Sequence, residues 1–383
     1  MRTVRKAALV VLLAVLAAGC GSRVATRTQL PAAPHPALSL STALATSAAA
    51  WATIPMGAPA GANLFWELFR MPAGVTRWAL ATPPDVATNG ALVLTTRGGQ
   101  TLVAGVRPSL HLIFSPVTGT SDGGKTWTSS PPQAGLANSP DALAVGPAGQ
   151  LLALGSNGQA DVNRLGSSGW ARLTSARALA ASTAGRACRL MALSAASYTP
   201  AGDPLLGGRC ARPGVAGIFA YRGGSWQAAG PVLPGALAGQ AHQVLRLTTA
   251  GGGNLALLQV GREAGGSLVA AWTVNSGKRW MLSPPLALNG AHPVSTAFSH
   301  NGAVAVTLSG GHAETITGAT AQWQVLPALP AGRALTLAFP PGGGLDALAA
   351  AGSELTVWRL GSRPDAWVKA QAMKVPIQYG SSS

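Results

Sequence analysis

Acidic residues are scarce in this 383-residue chain, in which Asp and Glu together number 11 against 27 Lys and Arg. Only four glutamates and three tyrosines are present, so a glycosidase that needs a tyrosine with a glutamate partner has few residues to draw on. Charged residues make up 10% of the chain and hydrophobic residues 48%. The length is compatible with two domains or with one large all-β domain.

The sequence has no hydrophobic run long enough for a membrane-spanning helix at its N-terminus, and a shorter apolar run is found there instead. The apolar run at residues 7–18 follows three basic residues and is too short to cross about 30 Å of hydrocarbon, which is the layout of a signal peptide. It ends in LAAGC at residues 16–20, which resembles the lipobox of bacterial lipoproteins. The resemblance implies that residues 1–19 are removed and that Cys20 is lipidated, anchoring the chain at the extracytoplasmic face of the cell membrane. A soluble secreted protein with an incidental cysteine is the alternative.

Residues 20–47 are interpreted as the lipidated cysteine followed by a flexible tether rich in Ser, Thr, Ala and Pro. Residues 48–380 are predicted to form a single folded domain. Without residues 1–19 the chain keeps 24 basic residues against 11 acidic ones. An exported basic protein is not expected to meet nucleic acid, and anionic lipid headgroups or envelope polymers are better partners for this charge. Scattered surface charge without a partner remains an alternative.

Only three cysteines are present, and an extracytoplasmic location explains how each is used. With Cys20 assigned to the lipid, Cys188 and Cys210 form an even pair in an oxidising location, which predicts a disulfide. A disulfide that closes the loop between these two cysteines is expected to raise the free energy of unfolding by about 3 kcal/mol. No His, Asp or third Cys lies beside them at the spacing of zinc ligands, so no zinc site is predicted. No CxxC motif indicates a redox role.

Tryptophan is the feature that recurs. Seven tryptophans stand 43 to 56 residues apart, and most are followed within a few residues by Pro, which ends a β-strand because it cannot donate to the ladder. Each tryptophan strand is therefore predicted to be the last strand of a repeated unit. The seven are Trp78, Trp127, Trp170, Trp226, Trp280, Trp323 and Trp367.

Between the tryptophans lie short apolar runs separated by Gly, Asn and Ser, the pattern of antiparallel strands joined by hairpins. A four-stranded unit repeated at this interval predicts an all-β fold, the β-propeller. We expect seven blades, with six as the alternative. The ring is predicted to close by pairing of N-terminal strands near residues 49–55 and 63–69 with a C-terminal strand at 374–379. No stretch after the tether keeps a helical period over a dozen residues.

The stretch TSDGGKTW at residues 120–127 resembles the Asp-box, or bacterial neuraminidase repeat, of sialidases, photosystem assembly factor propellers and other exported propellers. The resemblance implies a sialidase-like superfamily architecture, with the box at the turn between the third and fourth strands of a blade. Its side chains are then structural, and Asp122 forms the turn rather than performing chemistry. The motif residues are Thr120, Asp122, Gly124, Thr126 and Trp127.

A degraded copy of the box lies at residues 273–280, where Asn275, Gly277 and Trp280 keep the pattern and Arg279 replaces the Thr. A calcium loop is not predicted from DGG, because the alternating oxygen ligands and the later Glu of such a loop are missing. The sequence predicts no metal and no cofactor.

The FRMP stretch at residues 69–72 resembles a sialidase segment whose arginine binds a substrate carboxylate. No Tyr and Glu stand in a setting that suggests paired catalysis, so Arg70 is interpreted as a turn residue and no catalytic residue is predicted. No GxSxG, HExxH or phosphate-loop motif indicates another enzyme class.

These features predict a binding or scaffolding module of the cell envelope, a monomer whose partner is an envelope protein or glycan. The alternative is a sialidase-like glycosidase acting on envelope or host glycans. The loops that follow the tryptophan strands are predicted to form the ligand face. Candidate ligand-contacting residues in them are Asp85, Asn89, Asp141, His242, His292 and Arg333.

Overall fold

Antiparallel β-strands make up most of the described structure. All described residues belong to one compact unit, Leu38–Ser383, and the predicted signal peptide and Cys20 lie outside them. The computed structural model describes residues 41–57, 64–83, 91–97, 101–107, 117–129, 140–164, 169–214, 216–261, 266–275, 278–330, 334–361 and 366–376.

Within these ranges the strands form seven four-stranded antiparallel meanders in chain order. Meander 1 consists of β1 (Ser41–Ala45), β2 (Ala49–Gly57), β3 (Leu64–Pro72) and β4 (Ala79–Leu80). Meander 2 consists of β5 (Ala91–Arg97), β6 (Thr101–Arg107), β7 (Val117–Thr120) and β8 (Thr128–Ser129). Meander 3 consists of β9 (Pro140–Val145), β10 (Gln150–Gly155), β11 (Gln159–Arg164) and β12 (Ala171–Ser175).

The two middle repeats have longer connections. Meander 4 consists of β13 (Leu190–Tyr198), β14 (Pro204–Cys210), β15 (Ile218–Arg222) and β16 (Ser225–Ala228). Meander 5 consists of β17 (His242–Ala250), β18 (Gly253–Val260), β19 (Ser267–Thr273) and β20 (Met281–Leu282), with the short β21 (Leu286–Ala287) paired to β19.

The last two meanders complete the chain. Meander 6 consists of β22 (Pro293–Phe298), β23 (Val304–Leu308), β24 (Ala313–Ile316) and β25 (Gln324–Val325). Meander 7 consists of β26 (Ala334–Ala338), β27 (Asp346–Ala351), β28 (Glu354–Leu360) and β29 (Trp367–Lys374).

The first strands of successive meanders pack side by side. Strand β5 lies against β1 and β9, and β13 lies against β9 and β17. Strands β1 and β22 pair in parallel, and β26 packs against both of them. Four-stranded antiparallel meanders packed in succession are the architecture of a β-propeller, in agreement with the all-β fold that the tryptophan repeat predicted.

The hydrophobic core lies between neighbouring meanders rather than within one. One cluster joins Leu205 and Ile218 of meander 4 to Val244 and Leu258 of meander 5. Because meanders cover both faces of strands such as β18, all eight of its residues are buried. Such strands show continuous apolar sequence instead of alternation.

Each of the seven repeat tryptophans lies within one residue of the start of the fourth strand of its meander, as predicted. Three of their indole N–H groups donate to a backbone carbonyl of the preceding meander. Trp280 donates to Ala229 at 2.7 Å, Trp323 to Pro284 at 3.0 Å and Trp367 to Pro327 at 3.3 Å. Each acceptor carbonyl belongs to a residue three or four positions after the tryptophan of the preceding meander. The fourth strand of that meander has ended there, so the carbonyl does not take part in strand pairing.

The first and last meanders meet at a buried carboxylate. Asp346 of β27 is fully buried and accepts from the indole N–H of Trp78 at 2.9 Å. Its two oxygens also accept from Arg359 at 2.8 and 2.9 Å. The side chain of Gln371 bonds both the N–H and the carbonyl of Trp78. The bonds of Trp78 to Asp346 and to Gln371 join residues that are 268 and 293 positions apart in the chain.

The prediction that a C-terminal strand at 374–379 pairs with N-terminal strands differs from the structure where it can be compared, at residues 374–376, and residues 377–379 lie outside the described residues. Meander 1 takes all four of its strands from the N-terminal part of the chain, and Lys374 ends β29 of meander 7. The fourth N-terminal strand is β1, which begins at Ser41, inside the range 20–47 predicted as tether. Ala43 and Leu44 of this strand are buried, so its short apolar segment belongs to the core rather than to a tether.

Two short helices of six residues each interrupt the β-structure, both shorter than the dozen residues over which the sequence shows no helical period. Helix α1 (Ala176–Ala181) and helix α2 (Thr183–Cys188) connect β12 to β13, and a 3₁₀ turn lies at Gly235–Leu237. Ser175 and Ser182 cap the helices. The predicted disulfide between Cys188 and Cys210 is present and links the end of α2 to β14. No helix in the described ranges is long and apolar enough to cross a membrane.

We expect Asp346→Ala to lower the free energy of unfolding by about 2–4 kcal/mol, because it leaves a buried indole N–H and a guanidinium without their acceptor. Asp203→Ala is the matched control, since it breaks a half-exposed ion pair with Arg222 and should cost about 1 kcal/mol or less. Urea denaturation of both variants measures the difference. Equal losses would contradict the assigned role of Asp346.

Candidate functional site

A narrow channel runs between the first strands of the meanders. Its wall is made by β1, β5, β9, β13 and β17, with Phe298 of β22 and Trp66 of β3, and it encloses about 80 Å³. No described lining residue comes from β26, because β1 and β22 pair directly in front of it. The channel is therefore lined by six of the seven meanders.

Hydroxyl groups and backbone dominate the polar surface of the channel. Of the residues that line it, only Asp141 and Arg246 carry a charge. The guanidinium of Arg246 lies 3.1 Å from its neighbouring carbonyl, Leu245 O, and 3.4 Å from Thr42 Oγ1. Ser194 donates to Val244 O at 2.6 Å and so ties β13 to β17. A single cation and a single carboxylate do not make the carboxylate pair that glycoside hydrolysis needs.

The channel widens at one end into a mouth of about 410 Å³. The mouth lies where β1, β9, β13, β17 and β22 reach their C-terminal ends. None of the residues described in its lining is Asp, Glu, Lys or Arg, and His300 is its one imidazole. Its polar groups are hydroxyls and exposed backbone, set among the apolar surfaces of prolines, Tyr198 and Phe298.

The wall of the mouth is held by hydrogen bonds between meanders. Gly251 donates its N–H to His300 O at 2.9 Å, and the indole of Trp272 donates to Gly302 O at 2.8 Å. The amide of Asn254 donates to Tyr198 O at 2.8 Å. Gly251 and Gly252 both have positive φ, so this turn presents bare backbone to the cavity. Burial raises the pKa of Tyr198, so its hydroxyl stays protonated.

The predicted turn residues Thr120 and Asp122 form a compact hydrogen-bonded loop between β7 and β8. Asp122 accepts from the hydroxyls of Thr120 at 2.8 Å and Thr126 at 2.6 Å, and from the N–H groups of Lys125 and Thr126 at 3.0 Å. Thr120 Oγ1 accepts from Gly124 N–H at 2.7 Å. These bonds hold the pKa of Asp122 well below its usual range, with the Thr126 hydroxyl contributing most.

The degraded copy keeps part of this arrangement. Asn275 accepts from Thr273 Oγ1 at 2.9 Å and from Arg279 N–H at 2.7 Å. Trp280 follows and donates to meander 4. Gly277 lies outside the described residues.

Arg70 is a strand residue, not the turn residue that the sequence suggested. It belongs to β3, and its guanidinium lies 5.3 Å from the ring of Trp51. A Cβ added at Gly123 would collide with this guanidinium, so the turn of meander 2 packs directly on Arg70 of meander 1. Burial lowers the pKa of Arg70, while the nearby Asp122 acts in the opposite direction. Arg70 therefore joins two meanders and does not face the channel.

The tyrosines and glutamates do not form a catalytic pair in the described part of the chain. Tyr221 packs 5.1 Å from Trp226. Glu67 is buried and accepts from Thr82, and burial raises its pKa. Tyr198 lines the mouth, where no carboxylate accompanies it. Glu263 and Tyr379 lie outside the described residues.

The predicted ligand-face residues are dispersed. Asp141 lies in β9 and lines the channel. His242 begins β17, pairs in register with Cys210 and is only 2% exposed. His292 lies just before β22, and neither histidine lines the channel or the mouth. Asp85, Asn89 and Arg333 lie outside the described residues.

Sequence reasoning missed Arg246, Tyr198 and the glycine turn at residues 251–253. Arg246 follows a register shift in β17, so strand alternation does not reveal that it points to the channel. The run of three glycines was the one available signal for the mouth. No cluster of three or more His, Cys, Asp or Glu side chains that could hold a metal occurs among the described residues.

No protein-family model matches the chain, and no curated protein is similar to it in sequence. Among solved structures it is similar to YCF48 from Cyanidioschyzon merolae, with 15% identity, a TM-score of 0.45, and 88% of this chain and 97% of that chain covered. It is also similar to the Myceliophteria thermophila Cps50 (Swd1) β-propeller domain, with 10% identity, a TM-score of 0.49 and the same coverage. A structure of YCF48 bound to D1 peptide shares 13% identity and a TM-score of 0.43, over 78% of this chain and 82% of that one. These values are too low to transfer a function.

We expect Asp122→Asn to lower stability at neutral pH. Because the folded state holds the pKa of Asp122 below its unfolded value of about 4, the contribution is present above that pH and disappears as falling pH protonates the carboxylate. Thermal unfolding at a series of pH values should show the difference between wild type and variant shrinking in acid. Asn275→Ala is the control, since an amide does not titrate and its effect should not depend on pH. A difference for Asp122→Asn that persists unchanged in acid would contradict the assignment.

Proposed function

We propose that the protein is a lipid-anchored, extracytoplasmic β-propeller that binds a partner protein of the cell envelope at the mouth of its channel. The observation that carries this proposal is the uncharged, hydrogen-bonding lining of the mouth. A cavity of about 410 Å³ that offers hydroxyls, bare backbone and apolar ring surfaces suits recognition better than bond cleavage.

An extended peptide segment is the partner chemistry that fits this lining. The Gly251 to Gly253 turn, with Thr249 and Ser47 nearby, offers backbone groups and hydroxyls to a peptide main chain. Pro147 and Pro200 offer apolar surface to its side chains. An uncharged lining favours a segment without charge, because burial of an unpaired charge is costly.

Glycoside hydrolysis is not proposed. The channel supplies a single carboxylate, Asp141, and the mouth supplies none among its described lining residues. A retaining or inverting mechanism needs two carboxyl groups on either side of the scissile bond, or a tyrosine with a glutamate. Arg70, the residue that resembles a sialidase arginine, is packed between two meanders.

We further propose that the seven meanders are the seven blades of a closed ring. The hydrogen bonds of Trp280, Trp323 and Trp367 support the order of meanders 4 to 7. The bonds of Trp78 to Asp346 and Gln371 support closure between meanders 7 and 1 through side chains rather than through a shared strand.

The anchor is proposed from the sequence at residues 16–20, where Cys20 would carry the lipid. Two or three acyl chains supply stable membrane attachment. We propose Thr120, Asp122 and the other motif residues as an Asp-box that has a structural role only.

The proposed site is tested by a substitution that fills the mouth. Thr249 is exposed and lines both the channel and the mouth, so Thr249→Arg places a large charged side chain there. Thr128→Arg, on the exposed outer strand β8, adds the same group away from the site. Chemical cross-linking in the protein's own envelope, followed by affinity capture, should recover the same partner with wild type and Thr128→Arg. Recovery with Thr249→Arg should fall at least about tenfold, since a buried unpaired charge costs several kcal/mol.

Both variants must unfold at the wild-type denaturant concentration for the comparison to hold. Capture of the same protein in equal amounts by all three chains would show that the mouth is not the binding site.

A further inference from the structure

One stretch of the chain is almost purely cationic. Residues 162–262 contain ten arginines, no lysine and a single acidic residue, Asp203. Asp203 forms an ion pair with Arg222, with 2.7 Å between Asp203 Oδ2 and Arg222 Nε. More than half of the formal net charge of +16 therefore comes from about a quarter of the chain.

Several of these arginines gather around the disulfide. The N–H of Arg212 donates to Cys188 O at 2.9 Å, and its guanidinium donates to Ala187 O at 3.1 Å. The carbonyl of Arg189 accepts from Ala211 at 3.1 Å. The disulfide thus holds the end of α2 and the end of β14 together, with an arginine on each side of it.

Five arginines around this link form a group, called the arginine face below, which consists of Arg177, Arg186, Arg189, Arg209 and Arg212. All five are exposed, and the described residues supply no carboxylate to any of them.

The arginine face lies at the opposite end of the first strands from the mouth. Helices α1 and α2 lead into the N-terminal end of β13, and Cys210 pairs with Leu190 at that same end. The mouth is formed by the C-terminal ends of β13 and of four other first strands. Arginine face and mouth are therefore on opposite faces.

Strand β1 begins on the side of the arginine face. It starts at Ser41, and its C-terminal end, Ala45, lies at the mouth. Its parallel pairing with β22 shows that these two first strands share one direction. Ser41, the first described residue, therefore lies at the face that holds the arginines.

We propose that the arginine face docks on the anionic phospholipid headgroups of the membrane. Guanidinium groups bind phosphate through paired N–H donors, and a planar array of them suits a surface of phosphates. Exposed apolar side chains border the array: Met191 is 60% exposed beside Arg189, and Val232 is 73% exposed where Leu233 bonds Gly214. Such side chains are stable at headgroup depth.

This inference rests on the proposed function for its orientation, because docking by the arginine face would turn the mouth toward the space that holds a partner. A protein attached to the membrane by its lipid alone would rotate freely on a tether. A protein whose arginine face also binds the headgroups would present the mouth in a fixed direction.

The test uses residues 20–383, the expected mature chain, with Cys20→Ala, so that neither an acyl chain nor the apolar segment at residues 7–18 contributes. Sedimentation should show binding to vesicles that contain phosphatidylglycerol and much weaker binding to vesicles of phosphatidylcholine alone. The triple variant Arg177→Gln, Arg189→Gln, Arg209→Gln should lose binding to the anionic vesicles by on the order of 100-fold, about fivefold for each charge.

The matched control removes three charges from the opposite face. Lys125, Lys278 and Arg279 are exposed and lie in the turns between third and fourth strands, at the end where the mouth is. The triple variant Lys125→Gln, Lys278→Gln, Arg279→Gln should bind anionic vesicles within a few-fold of the parent chain.

Equal losses from the two triple variants would overturn the proposal, because they would show general attraction of a basic protein. Equal binding to both vesicle types would also overturn it. Preferential binding to a soluble anionic polymer, with no vesicle binding, would replace the lipid with another partner and equally overturn it. Vesicle binding and partner capture are separate readouts, so loss of capture by Thr249→Arg with intact vesicle binding would leave this inference standing.

Discussion

The tryptophan hydrogen bond between neighbouring meanders is the interaction on which the architecture depends. An isolated four-stranded meander leaves both faces apolar, so it must stack on neighbours. The indole of one repeat fills the seam and donates to the carbonyl that the previous repeat frees after its last strand, as Trp280, Trp323 and Trp367 do. Proline near that point has no N–H to donate to the ladder, so the strand ends there. Trp78, in meander 1, donates instead to the carboxylate of Asp346 in meander 7.

This constraint explains what could be predicted from the sequence. The recurrence of tryptophan identified the fourth strand of every meander, and in most of them a proline soon after it marks the end of the strand, because proline has no N–H to donate to the ladder. The cysteine pair was predictable because two residues left no choice. Strand β1 was missed because STALA resembles a tether, and its pairing with β2 and β22 makes it a strand. Helices α1 and α2 are six residues each, too short for a periodic signal.

The candidate site was less predictable than the fold, for a physical reason. A channel is lined by whichever residues of the first strands face the axis, and a bulge such as the one before Arg246 changes which ones do. The predicted ligand face drew on loops after the tryptophan strands, whereas the mouth lies at the other end of the first strands. His242 is an example of a polar residue that looks available in sequence and is buried by strand pairing.

The two faces therefore divide the proposed roles, with the arginines and the start of β1 on one and the uncharged mouth on the other. The most direct measurement is the accessibility of single engineered cysteines on the anchored protein in membrane vesicles that contain phosphatidylglycerol and no partner protein. Ser47→Cys lies in the lining of the mouth, and Arg177→Cys lies on the arginine face. A bulky membrane-impermeant maleimide should label Ser47→Cys rapidly and Arg177→Cys slowly, with equal rates after detergent extraction. Equal rates on the intact membrane would contradict the account.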